Sequence, residues 1–352
     1  MKKRSAIKKF TWQHRQSLYI LALLAVIILS IPVGYQLKHR NDEVKLGVSF
    51  SVKYAEELGL DWQQAFLGLV DEIEVKNMRL MSYWDTIEPA NDEYIFDDLD
   101  WQIDQANRHG VEVTLAVGQR QPRWPECHIP RWTTEVDEAT VRSQLLEYIG
   151  VVVERYKDNP AVTSYQVENE AANARFGDCP KYDPEFLTQE IELVKRLDPE
   201  ASVITNVSNQ SGTPLRGPVE QADKVGFSIY KNAHFDEFDN KYGWSFWYVP
   251  SQWHSLRAAL VEGLVGPQVF IHELQAEPWG PDATVNLTIE EQNKTMDADR
   301  LRSITDFALQ TGMKETYLWG GEWWYWRLAN FGDKEQWNTA KDIFAEHESS
   351  NN

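Results

Sequence analysis

Short apolar runs rich in β-branched and aromatic residues alternate along the chain with longer stretches whose apolar positions recur every three or four residues. The short runs fall at 46–51 (LGVSFS), 78–83 (MRLMSY), 111–117 (VEVTLAV), 162–168 (VTSYQVE), 202–207 (SVITNV), 224–230 (KVGFSIY), 267–273 (PQVFIHE) and 315–320 (ETYLWG). They read as buried strands. The longer stretches, at 61–76, 97–109, 138–157, 184–197, 253–263, 290–311 and 335–347, read as helices, and only 214–222 gives a weak pattern. Arg108-His109-Gly110 and Asp158-Asn159-Pro160 provide helix stops. Alternation of this kind predicts a parallel sheet with crossover helices, and eight units predict its closure into a (β/α)8 TIM barrel over 45–348. The turn after the first strand, SFSVKYAEELG, lacks the glycines of a nucleotide-binding fingerprint, which argues against a doubly wound sheet.

Ahead of the barrel the pattern changes. Between Gln16 and Leu37 there is no charge, and Leu18 to Val33 is apolar apart from Tyr19 and Ser30, a run of about the length that spans a bilayer. Lysines and arginines precede it, so the positive-inside rule keeps the N-terminus in the cytoplasm and sends the body outside. The expected organisation is a basic cytoplasmic segment over 1–17, a transmembrane signal anchor over 18–36, a linker over 37–44 and then the barrel. Secretion after signal cleavage is the alternative, but the sequence SIPVGYQ that follows offers no A-x-A-like site.

The chain has 35 basic and 54 acidic residues. Eight of the basic ones (Lys2, Lys3, Arg4, Lys8, Lys9, Arg15, Lys38 and Arg40) lie in the first 40 residues, where there is no acid, so the body is strongly acidic. Such a surface repels phosphate backbones and excludes a nucleic-acid partner.

In a barrel of this type the functional groups sit at the carboxyl ends of the strands. There the fourth strand ends in Gln166-Val167-Glu168-Asn169-Glu170, the seventh in His272-Glu273, the second in Tyr83-Trp84, the sixth in Tyr230 and the eighth in Trp319. Cleavage of a glycosidic bond with retention requires two carboxyl groups about 5–5.5 Å apart, one protonated and one ionised. Glu170 and Glu273 are expected to meet in one mouth. Taken alone, Asn169-Glu170 reads more readily as a helix N-cap followed by an acid, and it is the concurrence of strand-end features in order along the chain that favours the site.

Met78 to Trp84, Ile87-Glu88-Pro89, Tyr94 to Trp101, Asn169-Glu170, His272-Glu273 and Tyr317-Leu318-Trp319, in that order, resemble the clan A glycoside hydrolases, which include cellulase-like family 5 and β-galactosidase family 42. The resemblance implies that Glu170 is the acid/base and Glu273 the nucleophile. It further implies that Arg79 keeps the nucleophile ionised, Asn169 bonds the sugar 2-hydroxyl, Tyr230 touches the nucleophile and Trp319 forms a stacking floor.

Two acids complicate the assignment. Glu277 competes with Glu273, which is preferred because it terminates the apolar run Val269-Phe270-Ile271. Glu168 shadows Glu170 and, two residues earlier on a strand, should point the same way one layer deeper. Trp84, Trp124, Trp132, Trp244, Trp247, Trp253, Trp279, Trp323, Trp324 and Trp326 fall in or near the expected mouth loops, where aromatic rings stack on sugars, and they favour a chain-like carbohydrate. Cys127 and Cys179, in the loops after the third and fourth strands, are expected to form a disulfide, the alternative being two buried thiols. The histidines show no regular ligand spacing. His272 reads as a hydrogen-bond donor to its neighbour rather than a metal ligand, and neither metal nor cofactor is expected.

The predicted activity is retaining hydrolysis of β-glycosidic bonds by a monomeric catalytic domain, with a tethered, non-catalytic glycan-binding barrel and a transglycosylase using the same residues as alternatives.

Overall fold

The computed structural model describes residues 17, 19, 26, 29–173, 176–208, 213–215, 218–233 and 249–349. Eight parallel strands close into a barrel: β1 Lys45–Phe50, β2 Asn77–Met81, β3 Glu112–Val117, β4 Val162–Val167, β5 Ser202–Val207, β6 Lys224–Ile229, β7 Gln268–Gln275 and β8 Glu315–Trp319. Closure is made where β1 pairs with β8, with Lys45 opposite Glu315 and Ser49 opposite Trp319. The strands are buried on both sides, as their near-continuous apolar composition requires.

The helices are α1 Val52–Glu57, α2 Trp62–Asp71, α3 Trp84–Ile87, α4 Asp97–His109, α5 Glu138–Tyr156, α6 Pro184–Leu197, α7 Ser251–Leu264, α8 Ile289–Thr295, α9 Ala298–Gln310, α10 Gly321–Phe331 and α11 Glu335–Ser349. Their starts follow from capping side chains. Asp137 accepts from the Thr140 amide, and Asp183 accepts from the amides of Glu185 and Phe186 ahead of Pro184. Gly110, at φ 65°, ends α4 in the left-handed conformation that glycine adopts freely.

Two sequence expectations are corrected. The single helix at 290–311 is two, because Met296 is extended and Asp297 caps a new start by accepting from the Arg300 amide. Residues 321–331 (GEWWYWRLANF), given no element by the sequence pattern, form α10, in which Trp323 and Trp324 are fully buried. Consecutive aromatic residues there hide the helical period.

Most of the core lies between strands and helices, with Val48, Leu80, Leu115, Tyr165, Ile191 and Val225 among its fully buried members. Inside the barrel the filling is partly polar. Thr114 Oγ1 lies 2.7 Å from Ser164 Oγ and 3.3 Å from the Tyr317 hydroxyl, above a small cluster of Ile204, Phe270 and Tyr317.

Residues 18, 20–25, 27 and 28 of the expected membrane span lie outside the described residues. Residues 29–38 are helical, and the end of that helix rests on the barrel: the Tyr35 hydroxyl donates to Glu262 Oε1 at 2.8 Å and Gln36 Nε2 donates to Ser255 Oγ at 2.9 Å. Among the described residues no helix is long and apolar enough to cross a membrane.

Candidate active site

At the end of β7 the pairing with both neighbours shifts register around His272 and Glu273. A break of this kind re-aims side chains, and here it is accommodated by Gly226 on β6. A Cβ at that position would lie 2.7 Å from the His272 Cβ. Glu273 is 4% exposed and looks into the mouth. Arg79 Nη2, from β2, donates to its Oε1 at 2.7 Å, and the Tyr230 hydroxyl, just after β6, donates to its Oε2 at 2.9 Å.

Glu170 follows β4 with φ 46°. Its backbone amide donates to Asn206 Oδ1 at 2.5 Å, its Oε2 accepts from Asn173 Nδ2 at 2.9 Å, and its Oε1 accepts from the Ser228 hydroxyl. One carboxylate oxygen of Glu170, one of Glu273 and one ring nitrogen of His272 all lie within 4.8 Å of each other. The two acids, 103 residues apart in the sequence, are thus brought face to face.

Their environments drive them apart electrically. Burial, and then the negative charge of Glu273, pushes Glu170 up to about 7, against the hydrogen bonds from Ser228 and Asn173. Burial also opposes ionisation of Glu273, but the Arg79 guanidinium overcomes it and holds the carboxyl well below the usual carboxylate range. His272 stands 3.4 Å from Glu273 Oε1. Burial holds the imidazole below its ordinary value, so near neutral pH Arg79 is the charge that counts. The three clustered side chains could each offer one ligand atom to a cation, but Arg79 already neutralises Glu273.

The two neighbouring acids, Glu277 and Glu168, point elsewhere. Glu277 is engaged by Trp319 and Arg123, accepting from Trp319 Nε1 at 2.7 Å and from both terminal nitrogens of Arg123. Glu168 does not share the direction of Glu170. Its φ of 57° breaks the strand alternation, and its carboxylate accepts from the amides of Gln119 and Arg120, 2.8 Å each, at the end of β3. Gly118 makes this possible, since a Cβ there would meet Glu168 Oε1 at 2.4 Å.

Asn169 sits beside the pair. Its Oδ1 accepts from Asn206 at 2.7 Å and from Gln166 at 3.2 Å, and its Nδ2 donates to Glu126 Oε2 at 3.0 Å. Glu126 is a third buried acid that sequence reasoning missed, pushed up to about 8 by burial and then by the charge of Glu273. Ser228 and Asn206 were legible in principle as polar residues at strand ends. Arg123 and Glu126 were not, because nothing but proximity to Cys127 distinguishes them from any loop residue.

Cys127 and Cys179 form the expected disulfide, with Cα atoms 5.2 Å apart. The aromatic set is largely corrected. Trp84 is fully buried, stacked at 5.7 Å on Tyr148, with Nε1 donating to Glu88 Oε2 at 2.7 Å, so it cannot touch substrate. Trp323, Trp324 and Trp326 are likewise buried on α10, while Trp132 donates to the Glu88 carbonyl at 3.0 Å. Trp124 and Trp253 are exposed, Trp279 is half-buried, and Trp244 and Trp247 lie outside the described residues.

A closed (β/α)8 barrel with a polarised carboxyl pair at the ends of β4 and β7 defines the architecture of a barrel glycosidase. Residues 69–210 match the model of Glycosyl hydrolase family 10, in keeping with the resemblance to the clan A glycoside hydrolases. The fold is similar to that of a β-galactosidase from Bacillus circulans sp. alkalophilus, with 13% identity, TM-score 0.58, and 87% of this chain and 56% of that one covered. It is also similar to a β-galactosidase from the Antarctic haloarchaeon Halorubrum lacusprofundi, with 15% identity, TM-score 0.53, and 78% and 52% covered. Xylanase 10B from Thermotoga petrophila RKU-1, solved with xylobiose, matches at 17% identity and TM-score 0.51, with 79% and 81% covered. The chain thus spans about half the length of the β-galactosidases it matches.

Proposed function

We propose that the protein is a retaining glycoside hydrolase that cleaves β-glycosidic bonds of an oligo- or polysaccharide by double displacement. The observation that carries this reading is the separation of the Glu170 and Glu273 carboxylate oxygens, within 4.8 Å. An inverting pair would stand about 6.5–9.5 Å apart to admit a water molecule. The ionised Glu273 attacks the anomeric carbon while Glu170 gives its proton to the departing oxygen, so the glycosidic C–O bond breaks as a glycosyl ester forms. Glu170, now ionised, then takes a proton from water, whose oxygen displaces Glu273 and restores the β configuration. In this reading Arg79 and Tyr230 hold the nucleophile, Asn169 faces the sugar 2-hydroxyl, and Glu277 and Trp319 border the sugar site.

Glu170→Ala and Glu273→Ala, assayed on a panel of β-linked glycans, test the assignment. Losses of roughly 10²–10⁴-fold are expected, and wild-type-like rates in both variants would end it.

We further propose that residues 18–36 anchor the protein, with 1–17 in the cytoplasm and a monomeric barrel over 45–348 outside, joined by a linker over 37–44. The charge pattern supports this orientation, as does the Cys127–Cys179 bridge, which belongs to an oxidising compartment. Retention of the full chain in carbonate-washed membranes, with the barrel open to external protease, is the expected result. A soluble full-length chain would refute the anchor.

A further inference from the structure

The two sides of the carboxyl pair differ in what they offer a sugar. On one side Arg123, from the loop after β3, reaches across the mouth and lies between two rings, its guanidinium carbon 3.5 Å from the Tyr54 ring centroid and 4.1 Å from that of Trp319. Its terminal nitrogens donate to both oxygens of Glu277, and Nη2 also reaches Glu322 Oε2 at 3.4 Å. Glu322 in turn accepts from the Ser51 amide at 2.6 Å. One side chain thereby ties the ends of β1, β7 and β8 into a wall.

The wall has little give. Tyr54, Trp319, Glu277 and Glu322 are buried, and removing one partner from a buried ionic cluster of this kind leaves an unpaired charge. The Trp319 ring also lies 5.4 Å from the Arg79 guanidinium, which holds the nucleophile. A guanidinium therefore lies over the Trp319 ring at the border of the sugar site, where a further sugar would have to pass.

Among the described residues the other side is aromatic and partly exposed. Tyr230, bonded to Glu273, stands edge-on to Trp279 at 5.2 Å; Trp279 is 6.1 Å from Phe176, and Phe176 is 5.9 Å from Trp124. Exposure rises outward along the row to 39% at Phe176 and 68% at Trp124. Phe176 belongs to the loop that leaves Glu170, so the row begins at the nucleophile and runs beside the group assigned to protonate the leaving oxygen. Faces of this kind stack on the C–H faces of sugars.

We propose that the enzyme acts from the chain end: the Arg123 wall admits a single terminal sugar on the glycone side, and the departing remainder of a β-linked glycan lies along the row from Tyr230 to Trp124. This rests on the retaining-glycosidase reading above.

The test is product sizing over time with the full chain on β-linked polysaccharides and on oligosaccharides of two to six sugars. Release of monosaccharide from the first time point, with little fall in polysaccharide viscosity, is expected. Oligosaccharides of mixed length from wild type would overturn the proposal while leaving the glycosidase reading intact, whereas no hydrolysis of any substrate would sink both. In a second arm, Trp124→Ala is expected to raise KM several-fold more for the six-sugar substrate than for the two-sugar one, and equal effects would overturn the row as the path of the chain.

Discussion

Arg79 and Glu273, 194 residues apart in the chain, are joined by a hydrogen bond of 2.7 Å in which Nη2 donates to Oε1, and both side chains are buried. The pair is the electrical centre of the site, because burial alone would drive the Glu273 carboxyl up rather than down. Arg79→Met should therefore raise the acid limb of the kcat/KM profile towards or above the ordinary carboxylate value of about 4.3. It should also cost about 3–5 kcal/mol of stability by leaving a buried charge unpaired. An acid limb that stays in place in a folded Arg79→Met variant would remove Arg79 from this role.

The alkaline limb belongs to the partner. In the proposed mechanism Glu170 carries the proton that assists departure, and it is pushed up to about 7 by burial and then by the charge of Glu273. Activity should hold through mildly acidic pH and fall above about pH 7. The limb should be weak on substrates whose leaving group needs no proton, such as aryl glycosides with acidic phenols. A pH series on one such aryl glycoside beside a natural disaccharide checks this, and identical limbs on both would count against Glu170.

Folding stability should depend on pH in an unusual direction. Burial lifts Glu126 to about 8, and Glu170 and Glu322 to about 7, above their unfolded values. For raised acids the native chain binds more protons than the unfolded one, so their contribution is fully present below about pH 4.5 and is lost as pH rises to 7–8, by up to about 1.4 kcal/mol per pH unit for each group. Glu273 has the opposite sign but acts only in more acid solution, and the imidazoles of His128, His254 and His272, held below their ordinary value by burial, oppose the raised acids as pH falls below about 6.5. Thermal melts should therefore give a higher Tm near pH 6.5 than near pH 8.5, and a flat or rising Tm over that interval would contradict the assignment.

The Cys127–Cys179 bridge joins residues 52 apart in the sequence. It pins the loop that carries Arg123 and Glu126 against the loop that follows Glu170. Replacing both cysteines by serine should lower stability by about 2–4 kcal/mol and reduce activity beyond the loss of folded protein, because Glu126 bonds Asn169 across those loops. Urea unfolding and specific activity at matched folded fraction measure the two effects separately, and an unchanged unfolding midpoint would refute the structural role.

Much of this molecule was written in local pattern. The apolar runs set strands whose bounds differ little from the expected ones, and Gly110, Asp137 and Asp183 set helix ends, because backbone hydrogen bonding and burial are decided within a few residues. The order of Arg79, Glu170 and Glu273 along the chain was enough to nominate the carboxyl pair, since strand ends of a closed barrel must converge. Local pattern failed where partners are remote. Trp84 reads as a mouth residue in sequence, yet it packs on Tyr148 of α5, and α10 was hidden because its tryptophans are buried on several faces at once. The choice of Glu273 over Glu277, the turning away of Glu168 and the presence of Glu126 beside the pair depended on the register break in β7, the positive φ at Glu168 and the course of the disulfide-bound loop. The sequence determined which elements form and which acids reach the mouth. Only the tertiary structure decided which of those acids face each other and with what charge, because a carboxyl's direction and pKa come from side chains contributed by other strands, brought close only when the barrel shuts.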